Sequence, residues 1–231
     1  MVCLSLLLIF DLVPLGQART YSYYPWPEQL GKADVVVVCL GTVTSTEISK
    51  WRGGQAEATV QVNVLRVLKG PALLKQLTFT EVLEQDEPNP EVPAAKYAIF
   101  FFRGQADEER TDENWFQLFM PHQSIITIGN TLPKLPSSKL PPFRTVGLLM
   151  AGALANADEE RRGDLLDSLQ EAIILEITTN PELSKLKHRL GEPNEVHQFY
   201  DEQIIPLVEP YLKDPNAEVR RVAGNIVSHR R

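Results

Sequence analysis

The sequence contains few of the residues and motifs from which catalytic and metal centres are built. It has only two cysteines, Cys3 and Cys39, which cannot form a disulfide framework, a four-thiolate zinc site or an iron–sulfur cluster. It has no Gly-x-Ser-x-Gly elbow, no phosphate-cradling Gly-x-x-x-x-Gly-Lys loop and no His-Glu-x-x-His pair. The histidines are scattered and lack the i, i+4 spacing of paired metal ligands; they are His122, His188, His197 and His229. We therefore predict a chain that is not an enzyme, with no catalytic residue, no cofactor and no metal site.

Basic charge and long apolar runs are also scarce. The 231 residues include 23 Lys and Arg against 30 Asp and Glu, so the formal net charge is −7. That sign opposes the binding of a phosphate backbone, and we predict no nucleic-acid partner. A membrane-spanning helix needs about 20 consecutive apolar residues. No such run occurs in the sequence, and we predict no membrane span.

The N-terminus has the pattern of a secretory signal peptide. Val2 to Phe10 is an almost wholly apolar run, and Gly16-Gln17-Ala18 provides small residues at the first and third positions of a cleavage site. We predict a signal peptide over residues 1–18, cleavage near Ala18, and a periplasmic or secreted location. A buried N-terminal strand or helix is the alternative. Cleavage would remove Cys3, so the mature chain could not form an intramolecular disulfide.

Residues 19–128 are predicted to form the β half of the protein. Val60, Val62 and Val64 alternate with polar residues, which indicates a strand buried on one face. Short strands at hairpin-like spacing favour a small antiparallel barrel or a sandwich. We place the strands at residues 33–43, 58–68, 77–82, 97–102, 115–120 and 124–128. The first is a continuous apolar run, which is typical of a strand covered on both faces.

Three segments of this half carry a resemblance to a known family. Ala33-Asp-Val-Val with Gly41-Thr-Val, then Val64-Leu-Arg-Val-Leu-Lys-Gly, then Lys96-Tyr-Ala-Ile-Phe-Phe resemble the netrin/tissue-inhibitor type of OB-fold barrel found in exported proteins. The resemblance implies an OB-like barrel. Family members that inhibit metalloproteases present an N-terminal cysteine held by disulfides. The predicted mature start, Arg19-Thr-Tyr, departs from that pattern.

A proline-rich segment separates the two halves. Residues 129–144 contain Pro133, Pro136, Pro141 and Pro142 without any hydrophobic period, and we predict a stiff linker or domain boundary there. Helical periodicity begins after Thr145, which is predicted to cap the next helix.

The C-terminal residues 145–231 are predicted to form antiparallel helical hairpins. Apolar residues recur with the helical period of 3.6 residues in two segments, 202–212 and 219–227, on either side of the turn Lys213-Asp-Pro-Asn. Asp214 is predicted to cap the second helix, with Pro215 at its first position. Ile204 to Val227 resembles a HEAT repeat, and this resemblance implies structural roles for Asp214, Pro215, Val219 and Arg220.

A fainter copy of this pattern lies earlier in the chain. Its Asn180-Pro181 turn stands 34 residues before Asp214-Pro215, a repeat-sized period. An unrelated helical hairpin is the alternative.

The sequence also has one basic cluster, near its C-terminus, and one aromatic stretch, near the predicted mature N-terminus. Arg221, Arg230 and Arg231 make the C-terminus basic and are candidates for binding a partner, although cations also complement a helix C-terminus. An aromatic stretch near the mature N-terminus is suited to packing across a barrel, or to recognition; it comprises Tyr21, Tyr23, Tyr24 and Trp26.

The sequence thus predicts an α+β protein in two domains. A small OB-like barrel or sandwich occupies residues 19–128 and HEAT-like hairpins occupy residues 145–231, joined by the linker of residues 129–144. The predicted function is that of an exported, non-enzymatic module for protein binding or scaffolding, with a protein as its partner. The alternatives are an extracellular protein resembling a protease inhibitor, or a hydrolase whose acids meet at the domain junction.

Overall fold

The computed structural model describes residues 25–49, 55–84, 96–105, 115–119, 123–177 and 197–229. Six strands lie between a short N-terminal helix and a C-terminal group of helices. The strands are β1 (Val35–Ile48), β2 (Gln55–Lys69), β3 (Gln76–Glu84), β4 (Lys96–Gln105), β5 (Trp115–Leu118) and β6 (Ile125–Gly129). The helices are α1 (Trp26–Lys32), α2 (Pro142–Ala153), α3 (Glu159–Ile177), α4 (Ile205–Val208) and α5 (Ala217–Ser228). The protein is therefore of the mixed α+β class, as the sequence predicts.

Five strands close into a barrel. They are ordered β1-β2-β3-β5-β4, and β4 pairs back with β1 to complete the ring. All of these pairings are antiparallel except β3 with β5, which is parallel. β6 adds to β4 antiparallel, beside the ring. The structure confirms the six predicted strands and selects the barrel over the sandwich. A closed five-stranded barrel is compatible with the OB-like prediction.

β1 is buried on both faces at its start, as its continuous apolar run predicts. Val35 and Val37 belong to the hydrophobic core inside the barrel. Val36 and Val38 point the other way and join a second core, which the helices share. Because successive strand residues face opposite sides, a single run of valines contributes to both cores.

Four aromatic rings lie in the core inside the barrel, among valine, leucine and alanine side chains. Phe79, Phe100, Phe102 and Phe116 contact one another with ring centroids 5.6 to 5.9 Å apart. These distances lie in the favourable range for aromatic pairs. The interior is thus a packed core.

The helices pack directly against the outside of the barrel. The second core contains α1, the outer faces of β1 and β4, and the buried sides of α2, α3 and α5. The sequence did not reveal α1, whose Trp26 stacks on Phe143 of α2 with ring centroids 5.2 Å apart. Trp26 of the aromatic stretch therefore packs among the helices. The three tyrosines of this stretch lie outside the described residues. The division into two domains stays a prediction.

The proline-rich segment is shorter than predicted. Helix α2 begins at Pro142, so its first turn contains part of the predicted linker. Proline suits that position, because the first N–H groups of a helix have no partner within it. Thr145 is not the cap: it lies inside α2, and its hydroxyl donates to the Pro141 carbonyl over 3.2 Å.

The chain before the last helix is helical but irregular. A π-helical turn over Tyr200–Ile204 leads into α4, which is followed by a 3-10 turn over Glu209–Lys213. Pro206 and Pro210 lack the N–H groups that a regular helix needs, which accounts for the changes of pitch. The predicted second copy of the hairpin turns at residues 180–181, outside the described residues.

The final helix begins differently from the sequence prediction. Its N-cap is Asn216, whose side-chain oxygen accepts hydrogen bonds from the backbone N–H groups of Glu218 and Val219 over 2.7 and 3.2 Å. Asp214 and Pro215 therefore precede the helix. Asn is about as favourable as Asp at an N-cap, and Asp214 and Pro215 form the turn before the helix.

None of the described helices combines the length and the apolar character that crossing a bilayer requires.

Candidate functional site

A cleft of about 370 Å³ lies where the barrel meets the helices. One wall is α3, a second is the segment from Gln123 to Thr127, which contains the first three residues of β6, and α1 supplies Trp26 and Gln29. This volume lies within the range of ligand-binding pockets, which is about 300 to 1,000 Å³. The cleft is therefore large enough to hold a small molecule or a few residues of a peptide.

One face of α3 gives the cleft most of its polar groups. Arg161, Asp164, Ser168 and Glu171 all line it. They are spaced at i, i+3, i+7 and i+10, which places them on one side of a helix. Leu165 lies on the same face and adds an apolar contact. The local helix therefore presents two carboxyl groups and one guanidinium to the same space.

Glu171 is the most perturbed of these groups. Its Oε2 accepts a hydrogen bond of 3.0 Å from the backbone N–H of Trp26, at the start of α1. Burial raises its pKa from 4.5 to about 7, and the hydrogen bond from Trp26 partly opposes that rise. Trp26 also donates its indole N–H to the Ser168 carbonyl over 2.6 Å. Two hydrogen bonds thus attach α1 to α3 at one end of the cleft.

The barrel side of the cleft is held by a glutamine. The Gln29 side chain donates to the Gln123 carbonyl over 3.0 Å and accepts from the Ser124 hydroxyl over 2.9 Å. Gln29 and Ser124 are both buried. Because both ends of the amide are bonded, it fixes α1 against the chain that enters β6.

A longer hydrogen bond crosses the cleft. Arg161 Nη1 donates to the Thr127 carbonyl over 3.4 Å, joining α3 to β6. Next to it, the pKa of the Asp164 carboxyl is raised chiefly by partial burial, while the charge of Arg161 lowers it. The carboxyl groups of Asp164 and Glu171 both therefore hold their protons to higher pH than usual.

The chemistry of the cleft suits a ligand that forms hydrogen bonds and has apolar parts. Carboxyl, guanidinium and backbone groups meet there beside the apolar surfaces of Trp26, Ile125 and Leu165. Within the described ranges, no three His, Cys, Asp or Glu residues are grouped so that they could hold a metal ion.

The predicted structural residues meet at another place, the turn before α5. Asp214 is buried and forms an ion pair with Arg162 of α3. Its Oδ1 accepts from the Asn216 N–H over 2.9 Å. Arg220 Nη1 donates to the carbonyls of Asp214 and Pro215 over 2.6 and 2.8 Å. Val219 is buried in the core that the helices share with the barrel.

The predicted partner-binding arginines are described only in part. Arg221 is exposed and forms an ion pair with Glu218, and its Nε donates to Glu218 Oε2 over 2.9 Å. Its hydrogen bond lowers the pKa of the Glu218 carboxyl. Arg230 and Arg231 lie outside the described residues, and the binding role of the three arginines stays a prediction.

The sequence predictions did not include the cleft. Its residues come from three distant segments, and only α3 carries a local signal, the polar stripe of Arg161, Asp164, Ser168 and Glu171. No protein-family model matches the chain, and no curated protein matches its sequence.

Proposed function

We propose that the protein is an exported, non-enzymatic binding module and that the cleft between α1, β6 and α3 holds its ligand. The observation that carries this proposal is the cleft itself, in which paired polar groups of α3 face the barrel across a ligand-sized space. The groups around it are fixed by the hydrogen bonds of Trp26 and Gln29. A site held by such bonds before the ligand arrives loses little ordering entropy on binding.

We also propose a netrin-type barrel for the β half, a HEAT-like hairpin for the helical half, and export of the protein. A netrin-type barrel is supported by ring closure through β1 and β4 with a parallel β3–β5 pair. A HEAT-like hairpin is supported by the turn at Asp214, which binds α3 through Arg162. Export is supported by the apolar run and small-residue site of residues 1–18. The partner is a protein.

The test is a capture experiment with a blocked cleft. The full chain and a Ser168→Phe variant are immobilised and exposed to extracytoplasmic extract of the source, and bound proteins are quantified. Phenylalanine at position 168 fills the space beside Trp26. The control is Ser138→Phe, an equal change at an exposed position in the segment before α2. Circular dichroism and thermal midpoints check that each variant folds.

We expect a partner that binds the wild type and Ser138→Phe at micromolar concentration but is lost from Ser168→Phe. A second blocking variant, Thr127→Trp, approaches the cleft from β6 and covers the case in which Ser168→Phe does not fold. Equal capture by the blocked and control variants, or no specific partner of the wild type, would contradict the proposal.

A hydrolase is the second candidate, because two carboxyl groups of different environment line the same cleft. Burial raises the pKa of the Glu171 carboxyl to about 7, whereas Asp164 is the more exposed of the two residues. Such a difference is used by enzymes that need one acid and one base. A broad hydrolase screen decides: turnover that is abolished in Glu171→Gln would favour the enzyme, and no turnover favours the binding module.

A further inference from the structure

β6 is an edge strand beside the cleft. Within the described part of the chain it pairs only with β4. Three of its residues, Ile125, Ile126 and Thr127, line the cleft and are half-buried. An edge strand presents backbone N–H and C=O groups that another strand can use. The cleft therefore has a backbone wall as well as side-chain walls.

The ladder between β4 and β6 shows which backbone groups face the cleft. The Phe101 N–H donates to the Ser124 carbonyl over 3.0 Å, so the Ser124 carbonyl points toward β4. The residues whose backbone groups face the neighbouring strand alternate along antiparallel strands, and Ile126, which is paired with Ile99, is the next one. Ile125 and Thr127 are the intervening residues, and their N–H and C=O groups point away from β4. The hydrogen bond from α3 to the Thr127 carbonyl agrees with this orientation.

The existing bond to this edge is weak. Arg161 Nη1 lies 3.4 Å from the Thr127 carbonyl oxygen, beyond the usual range of 2.7 to 3.2 Å. A backbone N–H of an added strand would bind that oxygen at a shorter distance, because neighbouring strands lie about 4.8 Å apart. The Thr127 carbonyl therefore has no short hydrogen bond from Arg161 that an added strand would have to break.

The charge of the opposite wall indicates the side chains of the occupant. Among the residues that line the cleft, the ionisable ones are Arg161, Asp164 and Glu171, all of α3. The charge of Asp164 balances that of Arg161, and the wall becomes negative as the Glu171 carboxyl ionises near neutral pH. A lysine or arginine on the ligand would meet these carboxylates across the cleft.

We propose that the cleft binds an extended peptide segment of another protein, which adds as a strand to the edge of β6 that faces away from β4 and directs a basic side chain toward Asp164 and Glu171. Strand addition gives affinity through main-chain hydrogen bonds and specificity through alternate side chains. This inference rests on the proposed binding function and names its ligand class.

The probes are synthetic hexapeptides of alternating valine and lysine, acetylated and amidated at their ends. Amide exchange of the ¹⁵N-labelled full chain is measured by NMR with and without peptide. At saturation we expect exchange of the Ile125 and Thr127 amides to slow at least about tenfold. The Ile126 amide already belongs to the ladder with β4 and is the internal control. Unchanged exchange at Ile125 and Thr127 in the bound state would overturn the proposal, as would no binding at millimolar peptide.

Two N-methylated peptides test the backbone pairing without altering the protein. One carries the methyl groups on its valine nitrogens and the other on its lysine nitrogens. Only alternate amides of an added strand face its neighbour, so one isomer should lose at least tenfold in affinity and the other should retain it. Equal affinity of the two isomers would overturn the strand-addition geometry. A valine–glutamate peptide should bind at least tenfold more weakly than the lysine peptide, and equal binding would overturn the basic side chain.

A matched pair of variants locates the contact. Thr127→Pro removes a backbone N–H that points away from β4, and an edge strand tolerates proline at such a position. We expect this variant to bind the lysine peptide at least tenfold more weakly. Thr127→Val keeps the N–H, so it should bind the lysine peptide at least tenfold more tightly than Thr127→Pro does; equal affinities of the two variants would overturn the backbone contact. Cleft-dependent capture of a partner without protection of these amides would refute strand addition but leave the binding function standing. Loss of cleft-dependent capture would refute both.

Discussion

The buried carboxyl group of Glu171 is expected to make the stability of the protein depend on pH. In the folded chain its pKa is about 7, against 4.5 for the ordinary group. Between those values the folded state binds the proton more tightly than the unfolded state does. The free energy of unfolding therefore falls as the pH rises through this window. At 1.36 kcal/mol per pKa unit, the difference amounts to about 3 kcal/mol.

The perturbation that isolates this effect is Glu171→Gln. Glutamine does not titrate, and its side-chain oxygen can still accept the hydrogen bond from the Trp26 N–H. We expect the stability of the variant relative to wild type to increase by about 3 kcal/mol between pH 4.5 and pH 8. That change is large compared with a typical total stability of about 5 to 15 kcal/mol.

The assay is urea unfolding of the full chain at pH 4.5, 6 and 8, followed by tryptophan fluorescence. Gln170→Ala is the control, because it changes the neighbouring residue of α3 without removing a titratable group. Its stability relative to wild type should be the same at the three pH values. A Glu171→Gln difference that stays constant across this range would refute the argument that the cleft desolvates this carboxyl group.

Three further changes test the packing that supports the cleft. Asp214→Ala should lower the free energy of unfolding by about 3 kcal/mol in urea unfolding, because it leaves Arg162 without its buried partner; a loss below about 1 kcal/mol would show that the pair contributes little. Gly70→Ala should cost about 2 kcal/mol, because residue 70 has φ 109° and an added Cβ would lie 2.9 Å from Val35 Cγ2. Gly163→Ala, inside α3 with nothing within 4 Å of the new methyl group, should raise stability by about 1 kcal/mol. Calorimetric midpoints that move in the same direction for both glycine changes would contradict this account of their surroundings.

The strands were predictable because their residues carry strong local signals. The valines of β1 and β2 disfavour helix, and the alternation of Val60 and Val62 with polar residues matches the pleat of a half-buried strand. Ring closure depends on pairing between β1 and β4, which lie far apart in the chain. No local pattern determines such a pairing, so barrel and sandwich remained alternatives until the strand order was known.

Helix α1 and the cleft were missed for different reasons. α1 has seven residues that include Pro27 and Gly31, and its formation depends on the packing of Trp26 rather than on helix propensity. The cleft joins Gln29 of α1 to Thr127 of β6 and to α3, so its geometry comes entirely from tertiary contacts. The polar stripe of α3 was visible in the sequence, but an amphipathic helix commonly exposes such a stripe to solvent.

Binding of the partner in the cleft between α1, β6 and α3, as we propose it, can be located by hydrogen-exchange mass spectrometry of the full chain with and without the captured partner. We expect slower exchange in residues 123–129, with changes in residues 161–171 across the cleft. Protection confined to the helix that carries Arg220 and Arg221, with no change in residues 123–129, would rule out the cleft as the binding site.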